Sequence, residues 1–483
     1  MSNHKKKALR ALSRANKATQ GSGPSQVRVG AAAPLTSKAI AAAAETAAAV
    51  EAEVALSSVV KVSPVVRNST DREPGVLRVI VSCYERTIFA LDATLPLPLL
   101  DEHDPLRKNK SNALNPTQQI ADSMDAQIQR ILSKGKSDTI SRADGTTVTM
   151  KPRFVTAAHV GSVQALAVSH NWVASGSVDE IVKLYHARRC VELGSLHKHE
   201  GSITALAFCG VRAEHLISGG DDGQIILWRS KDWLPLKVMK GHARGAIRGI
   251  AVHPSNQLAI SIGRDNSSKS RMGHGEIGKT ISSMRLWDLQ IGKCAFRKTL
   301  PFDAISVQWS PDGLLYAVVF DRLVQVTSVT TGKNVCVYTP PSRSHCAAFV
   351  PCQDLDTQEE RYILAVGLEN GSLVLVNVHD GPVSAPEGGE DEDADAKPFA
   401  GHVLATIAAH TNRIKDLACQ DGYLATTSSD GTVCLWDMHP LVKWASAPGV
   451  DLTLEIQEAN HPQCVGRYHS GMRNICIRMI RVQ

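Results

Sequence analysis

The stretch Ser218–Trp228, SGGDDGQIILW, decides how the rest of the chain is read. A strand ends at Ser218, and Asp222-Gly223 forms a tight turn, since glycine tolerates the left-handed backbone that such turns need. Ile225, Ile226 and Leu227 then lead along a second strand to Trp228. Upstream, His199-Glu200-Gly201 precedes Ser202 to Phe208, an apolar run that reads as a buried strand. At these spacings the four polar side chains close a buried relay. Asp222 accepts from the His199 ring, the ring accepts from the Ser218 hydroxyl, and the hydroxyl accepts from the Trp228 indole.

The same register recurs. Tyr185 and Trp228 lie 43 residues apart, and ten positions before each aromatic stand Ser175 and Ser218, with Asp179 and Asp222 six positions before. Trp436, at the end of TTSSDGTVCLW, has Thr426 and Asp430 at the same offsets. Trp287 comes 59 residues after Trp228; a Ser/Gly/Lys-rich insertion at about 266–283 accounts for the excess, and Ser261 and Asp265 then fall into register. The upstream histidines are His159, His199, His242 and His410. A period of about 40–45 residues with this foursome is the mark of a WD-repeat β-propeller, four strands to a blade.

Between Trp287 and Trp436 two weaker repeats, Ile305 to Val329 and Cys346 to Val378, keep the strands and lack the Trp and the His. Sheet pairing and face-to-face packing carry most of a blade's stability, so a blade survives loss of the relay. Six blades follow from the repeats, ending near residues 195, 240, 298, 338, 408 and 457. The seventh is expected to be shared by the chain ends: two strands from Val76 to Ala93, a third from Phe154 to Ala157, and an innermost one from Asn474 to Ile480. Such closure removes exposed sheet edges. The expected fold is therefore all-β, a seven-bladed propeller over residues 74–483 closed by N- and C-terminal segments.

Three segments interrupt it: about 94–150, 266–283 and 381–399. Within the first, Asn115-Pro116 reads as a helix start, with Ile120, Met124, Ile128, Ile131 and Leu132 on one face. The last is acidic, with Glu387, Glu390, Asp391, Glu392, Asp393 and Asp395. Residues 1–73 are expected to be a disordered tail, basic and then Ala-rich. Residues 1–30 carry Lys5, Lys6, Lys7, Arg10, Arg14, Lys17 and Arg28 with no acid, so the net charge of +6 leaves −1 for everything else. A tail of this kind reads as a nuclear or nucleolar address or an RNA-touching arm. Acid-free Arg/Ser-containing N-termini also occur as mitochondrial transit peptides, but the Lys5-Lys6-Lys7 cluster fits a nuclear address better.

Eleven cysteines without a C-x-x-C pair, several in apolar strand-like runs (Cys209, Cys419, Cys434, Cys476), read as reduced thiols of an intracellular protein. No apolar run approaches the roughly 18 residues of a membrane span.

On the segments VIVSCYERTIFAL, SGSVDEIVKLY, HKHEGSITALAF, LISGGDDGQIILW and IAVHPSNQLAISIGRD, continuing through IGKCAF, VQWSPDGLLYAVVF and RIKDLA, the chain resembles the p21-activated-kinase-interacting WD-repeat proteins. The resemblance covers most of residues 76–480, including the order of strong and degenerate blades. It implies a nucleolar scaffold in ribosome biogenesis, supporting large-subunit (pre-60S) assembly and rRNA processing. Its partners would be assembly factors and ribosomal proteins, with rRNA within reach of the basic tail and the chain a monomer inside a larger particle. The alternative it implies is a regulator that binds and inhibits a p21-activated-type kinase.

No catalytic, cofactor-binding or metal-binding residue is expected. Gly273 to Thr280 (GHGEIGKT) fits the phosphate-cradling pattern G-x-x-x-x-G-K-[ST]. That loop works only between a buried parallel strand and a helix, whereas here polar NSSKSRM precedes it and a propeller strand follows. The histidines lack metal-ligand spacing such as H-E-x-x-H. The recurring Ser, His and Asp read as a structural set sealed in each blade, without the access a nucleophile needs.

Overall fold

The computed structural model describes residues 72–98, 135–138, 140–141, 147–169, 171–210, 212–242, 245–266, 280–353, 360–379, 399–446, 457 and 460–482. Seven sheets, each built on four antiparallel strands and two of them carrying a fifth, follow one another around a ring. Blade 1 is built from Val163–Ser169, Trp172–Ser177, Ile181–His186 and Val191–His197. Blades 2 to 6 begin with the inner strands Ile203–Cys209, Ile247–Val252, Ala304–Trp309, Ser344–Gln353 and Ile414–Gln420. Blade 7 joins the chain ends: Asn474–Val482 is innermost, followed by Arg72–Cys83, Thr87–Pro98 and Lys151–Ala157. The innermost strand pairs Val76 with Val482 and Ser82 with Cys476, so the ring is closed by main-chain hydrogen bonds between the two ends of the described chain.

The core lies between blades. Seven apolar clusters each join two neighbours, because alternate strand residues point to opposite faces of a blade and every face meets another. Ala165, Leu184 and Leu196 of blade 1 meet Ile203, Ile226 and Trp228 of blade 2. Ile80, Ile88 and Ile480 of blade 7 meet Val163, Leu166 and Tyr185 of blade 1. Second strands, flanked on both sides and covered on both faces, are the most buried: Leu315–Phe320 and Tyr423–Ser428 are buried at every residue. The two repeats without Trp and His form complete blades on this packing alone. In the turn read from Asp222-Gly223, Gly223 has φ 72°, and a Cβ there would collide with the His242 carbonyl.

Some boundaries differ from the sequence reading. The outer strand of blade 6 is Gln463–His469, not one ending near 457, because the helix His439–Ala445 intervenes after the third strand. Pro440 starts that helix, and Leu441, Val442 and Ala445 are buried beneath it. The interruption after Ala93 is shorter than 94–150: the second strand of the pair runs on to Pro98 and the third begins at Lys151. Within it, Lys136–Asp138 pairs with the outer strand of blade 6, and Val148 and Met150 are buried. From the acidic insertion, Phe399–Ala400 adds a parallel fifth strand to blade 4 beside Cys336 and Val337. The strands of blade 3 extend to Asn266 and restart at Thr280. Residues 1–71, the helix face read from Ile120 to Leu132, the acidic residues 387–395 and Gly273 to Lys279 lie outside the described residues.

Candidate functional site

The residues singled out by spacing converge inside four blades. In blade 2 the His199 ring donates from Nδ1 to Asp222 Oδ2 at 2.9 Å, its Nε2 faces Ser218 Oγ at 2.7 Å, and the Trp228 indole donates to the same Oγ at 2.8 Å. Asp222 also accepts from the amides of Gln224 and Glu200, at 3.0 and 3.2 Å. This pattern sets the tautomer: with Nδ1 donating to a carboxylate, Nε2 accepts the hydroxyl proton. Burial by itself would raise the Asp222 carboxyl, but the His199 ring and the two amides outweigh it and hold it below the ordinary carboxylate range.

Blade 3 repeats the arrangement with additions. His242 lies 3.3 Å from Asp265 and 2.8 Å from Ser261, and Trp287 donates to Ser261 at 2.8 Å. Asp265 further accepts from Ser283 at 2.8 Å, Arg285 at 3.2 Å and Arg297 at 2.8 Å. Burial pushes His242 down to about 4, so it stays neutral despite its carboxylate.

Two blades depart from the spacing argument. In blade 1, His159 meets Asp179 at 2.9 Å and Ser175 at 2.8 Å, but Tyr185 does not complete the relay. Its buried hydroxyl lies near Ser175 but makes no well-aligned hydrogen bond to it. A phenol carries its donor at the far end of the ring and cannot overlay an indole N–H. Tyr185 instead lines a cavity of about 10 Å³ between blades 7 and 1, shared with Arg78, Ile80, Ile88, Phe154 and Cys190. In blade 6, His410 Nε2 faces Thr426 at 2.7 Å and Trp436 donates to Thr426 at 3.1 Å. The Asp430 carboxylate, however, is 3.7 Å from the ring. Thr432 steps between them, 2.5 Å from His410 Nδ1 and donating to Asp430 at 2.6 Å. Spacing does not reveal Thr432, which lies two residues past the aspartate and ordinarily reads as a plain strand residue.

The Ser, His and Asp stand in the order found in hydrolase triads, yet Ser175, Ser218, Ser261 and Thr426 are fully buried. In blades 2, 3 and 6 the hydroxyl oxygen already receives an indole N–H. No substrate reaches these oxygens. Among the described residues no group of three or more His, Cys, Asp or Glu is placed to hold a metal. Lys279 and the basic residues Lys5, Lys6, Lys7, Arg10, Arg14 and Lys17 lie outside the described residues. None of the eleven cysteines forms a disulfide. No helix among the described residues is long and apolar enough to cross a membrane.

The seam that closes the ring has its own polar clasps, which spacing did not reveal. Arg78 on the second strand of blade 7 grips Asp92 with two hydrogen bonds, 2.6 and 2.7 Å, and donates to the Ala187 carbonyl of blade 1 at 2.5 Å. On the other side, Asp416 of blade 6 accepts from Arg478 at 2.5 Å and from the Ile477 amide at 3.0 Å. The C-terminal strand is thereby tied to the blade before it.

The family model for the WD domain, G-beta repeat, matches residues 150–186, 190–229, 233–269 and 401–437. These segments contain the histidine, the serine or threonine and the aspartate of all four relays. The chain is 30% identical over 295 residues to the p21-activated protein kinase-interacting protein 1-like of Danio rerio, covering 60% of this chain and 67% of the relative. It is 29% identical over 295 residues to Shk1 kinase-binding protein 15 of Schizosaccharomyces pombe, covering 59% and 70%. To Protein MAK11 of Saccharomyces cerevisiae it is 29% identical over 305 residues, again 59% and 70%. With the blade order, the shared closing blade and these relatives in agreement, the chain belongs to the p21-activated-kinase-interacting WD-repeat protein family.

Proposed function

We propose that this WD-repeat scaffold is non-enzymatic and works in ribosome biogenesis, holding assembly factors and ribosomal proteins together on large-subunit precursors in the nucleolus. The observation that carries the reading is the separation of charge from architecture. Residues 1–30 hold seven cations and no acid, while the rest of the chain, including a propeller with sealed relays, is close to neutral. A segment of that charge is drawn to rRNA phosphates, and the attraction weakens as salt rises. It also suits recognition by import receptors. The propeller presents blade faces and edges for binding, and its polar foursomes serve folding.

A second reading, binding and inhibition of a p21-activated-type kinase, is favoured by the names of the kinase-interacting and kinase-binding relatives. Affinity purification of the full chain, with identification of bound protein and RNA, separates the two. Large-subunit precursor RNA and its proteins are expected to co-purify, and deletion of residues 1–30 is expected to leave a folded propeller with reduced nucleolar accumulation. A cytosolic protein that co-purifies with a kinase and no precursor RNA reverses the assignment. A mitochondrial location with a removed N-terminus sinks both the address and the ribosomal role.

A further inference from the structure

In all seven blades the outer strand carries a bulge at the same position, the unpaired residues being Leu193, Leu236, Ala295, Val335, Leu404, Val465 and, in blade 7, Arg153. A bulge re-aims its side chain away from the ladder. Around half of the ring the chain covers this rim with its own insertions. Val465 of blade 6 is 1% exposed, in one cluster with Val148 and Met150, and the strand Lys136–Asp138 lies along that edge. Leu404 of blade 5 is fully buried in the cluster that includes Leu441, Val442 and Ala445 of the helix. On blade 4, Phe399–Ala400 pairs beside the half-buried Val335.

Blades 1 to 3 have no such cover among the described residues. Their sheets end at Val191–His197, Leu234–Lys240 and Lys293–Thr299. The bulge residues Leu193 and Leu236 are 48% and 43% exposed, and Val191, Leu234 and Phe296 beside them are more than half exposed. Neighbouring blades meet close to these edges: Trp172, at the start of the second strand of blade 1, packs edge-on against Trp233, just before the outer strand of blade 2, at 5.2 Å, and Gly292 of blade 3 closely approaches the Lys237 side chain of blade 2. Their charge is one-sided. These three strands contain Lys237, Lys240, Lys293 and Lys298, besides Arg297, which is paired with Asp265 at 2.8 Å, against a single carboxylate, Glu192, which is paired with Lys183 at 3.0 Å.

The geometry points to the outer edges of blades 1 to 3 as a docking surface for an extended segment of another protein, apolar at alternate positions and acidic between them. Added strands already cap two other blade edges of this chain, so the edge geometry accepts strand addition. An uncovered run of apolar residues on sheet edges is otherwise an aggregation liability, and the excess of cations selects an acidic occupant. The inference is independent of whether that partner is a ribosomal factor or a kinase.

The test places a photo-crosslinking amino acid at Leu193, Leu236 or Phe296 of the full chain in cells, with Leu314, exposed in a turn of blade 4, as the control. Adducts are mapped by peptide sequencing. The expected result is one acidic, apolar-alternating segment of a distinct protein captured from all three positions and not from Leu314. Adding Lys237→Glu and Lys293→Glu, both at exposed positions and with melting measured alongside as the folding control, should reduce the adduct at least tenfold. The proposal is overturned by adducts to residues of this chain or of a second copy, by adducts to RNA, by capture that ignores the charge reversals, or by no adduct at all.

Discussion

Replacing Asp222 by Ala removes the acceptor at the centre of the blade 2 relay. The His199 side chain is 1% exposed, so its Nδ1–H has no water to turn to. Moving the ring proton to Nε2 only shifts the problem, because Ser218 Oγ already receives the Trp228 indole N–H and its own proton is then left without an acceptor. The Glu200 amide, on an exposed residue, finds water. The loss therefore falls mainly on the buried ring donor, with the half-buried Gln224 amide losing its acceptor as well, about 1–3 kcal/mol. Comparison across blades sharpens the expectation. In blade 6, Thr432 still faces His410 at 2.5 Å after Asp430→Ala, so that loss should be smaller than at Asp222. In blade 3, Asp265→Ala leaves Arg285, 11% exposed, as a nearly buried cation without its carboxylate. Removing one partner of a buried ion pair costs about 3–5 kcal/mol. The expected order is Asp265, then Asp222, then Asp430. Urea unfolding followed by tryptophan fluorescence reads it as shifts in midpoint at constant slope. Unchanged midpoints with lost partner binding would refute the structural role of the relay, and a larger loss at Asp430 than at Asp222 would refute the part given to Thr432.

Three further outcomes follow from the same geometry. Ending the chain at Met472 removes the innermost strand of blade 7 with Ile477, Met479 and Ile480 and exposes the Val76–Cys83 edge; gel filtration should show aggregation or loss of soluble protein, and an equally stable monomer would contradict ring closure by this strand. Buried His159 and His242 are held below their ordinary value, His242 at about 4, while the unfolded chain binds those protons near pH 6.5. Stability is thus complete above pH 6.5 and should fall below it by up to about 1.4 kcal/mol per pH unit for each histidine, the His242 share ending near pH 4; flat urea midpoints from pH 7 to 5 would count against neutral relay histidines. Finally, a hydrogen bond from Cys434 and the nearby Arg467 hold the Cys464 thiol below its ordinary value, so its alkylation by iodoacetamide, followed by mass spectrometry, should rise with pH already below the ordinary 9; an inflection at or above 9 would remove that assignment.

What the sequence by itself determined is what repeats at short range. Asp222, Ser218 and Trp228 sit within eleven residues of one another on two paired strands and the turn between them, so a fixed spacing is enough to place them, and the period carries the placement from blade to blade. The shared seventh blade was legible for the same reason, since an apolar strand at each end of a closed ring has one place to go. Tyr185 shows where spacing stops, because an aromatic in register does not imply a donor aligned on Ser175. Thr432, the helix His439–Ala445 and the clasps at Arg78 and Asp416 were decided by tertiary packing. So was the contrast between Leu404, fully buried, and Leu236, 43% exposed at the equivalent bulge. Residues that cover a rim come from insertions with no period of their own, and burial depends on what folds over a side chain rather than on its neighbours in sequence.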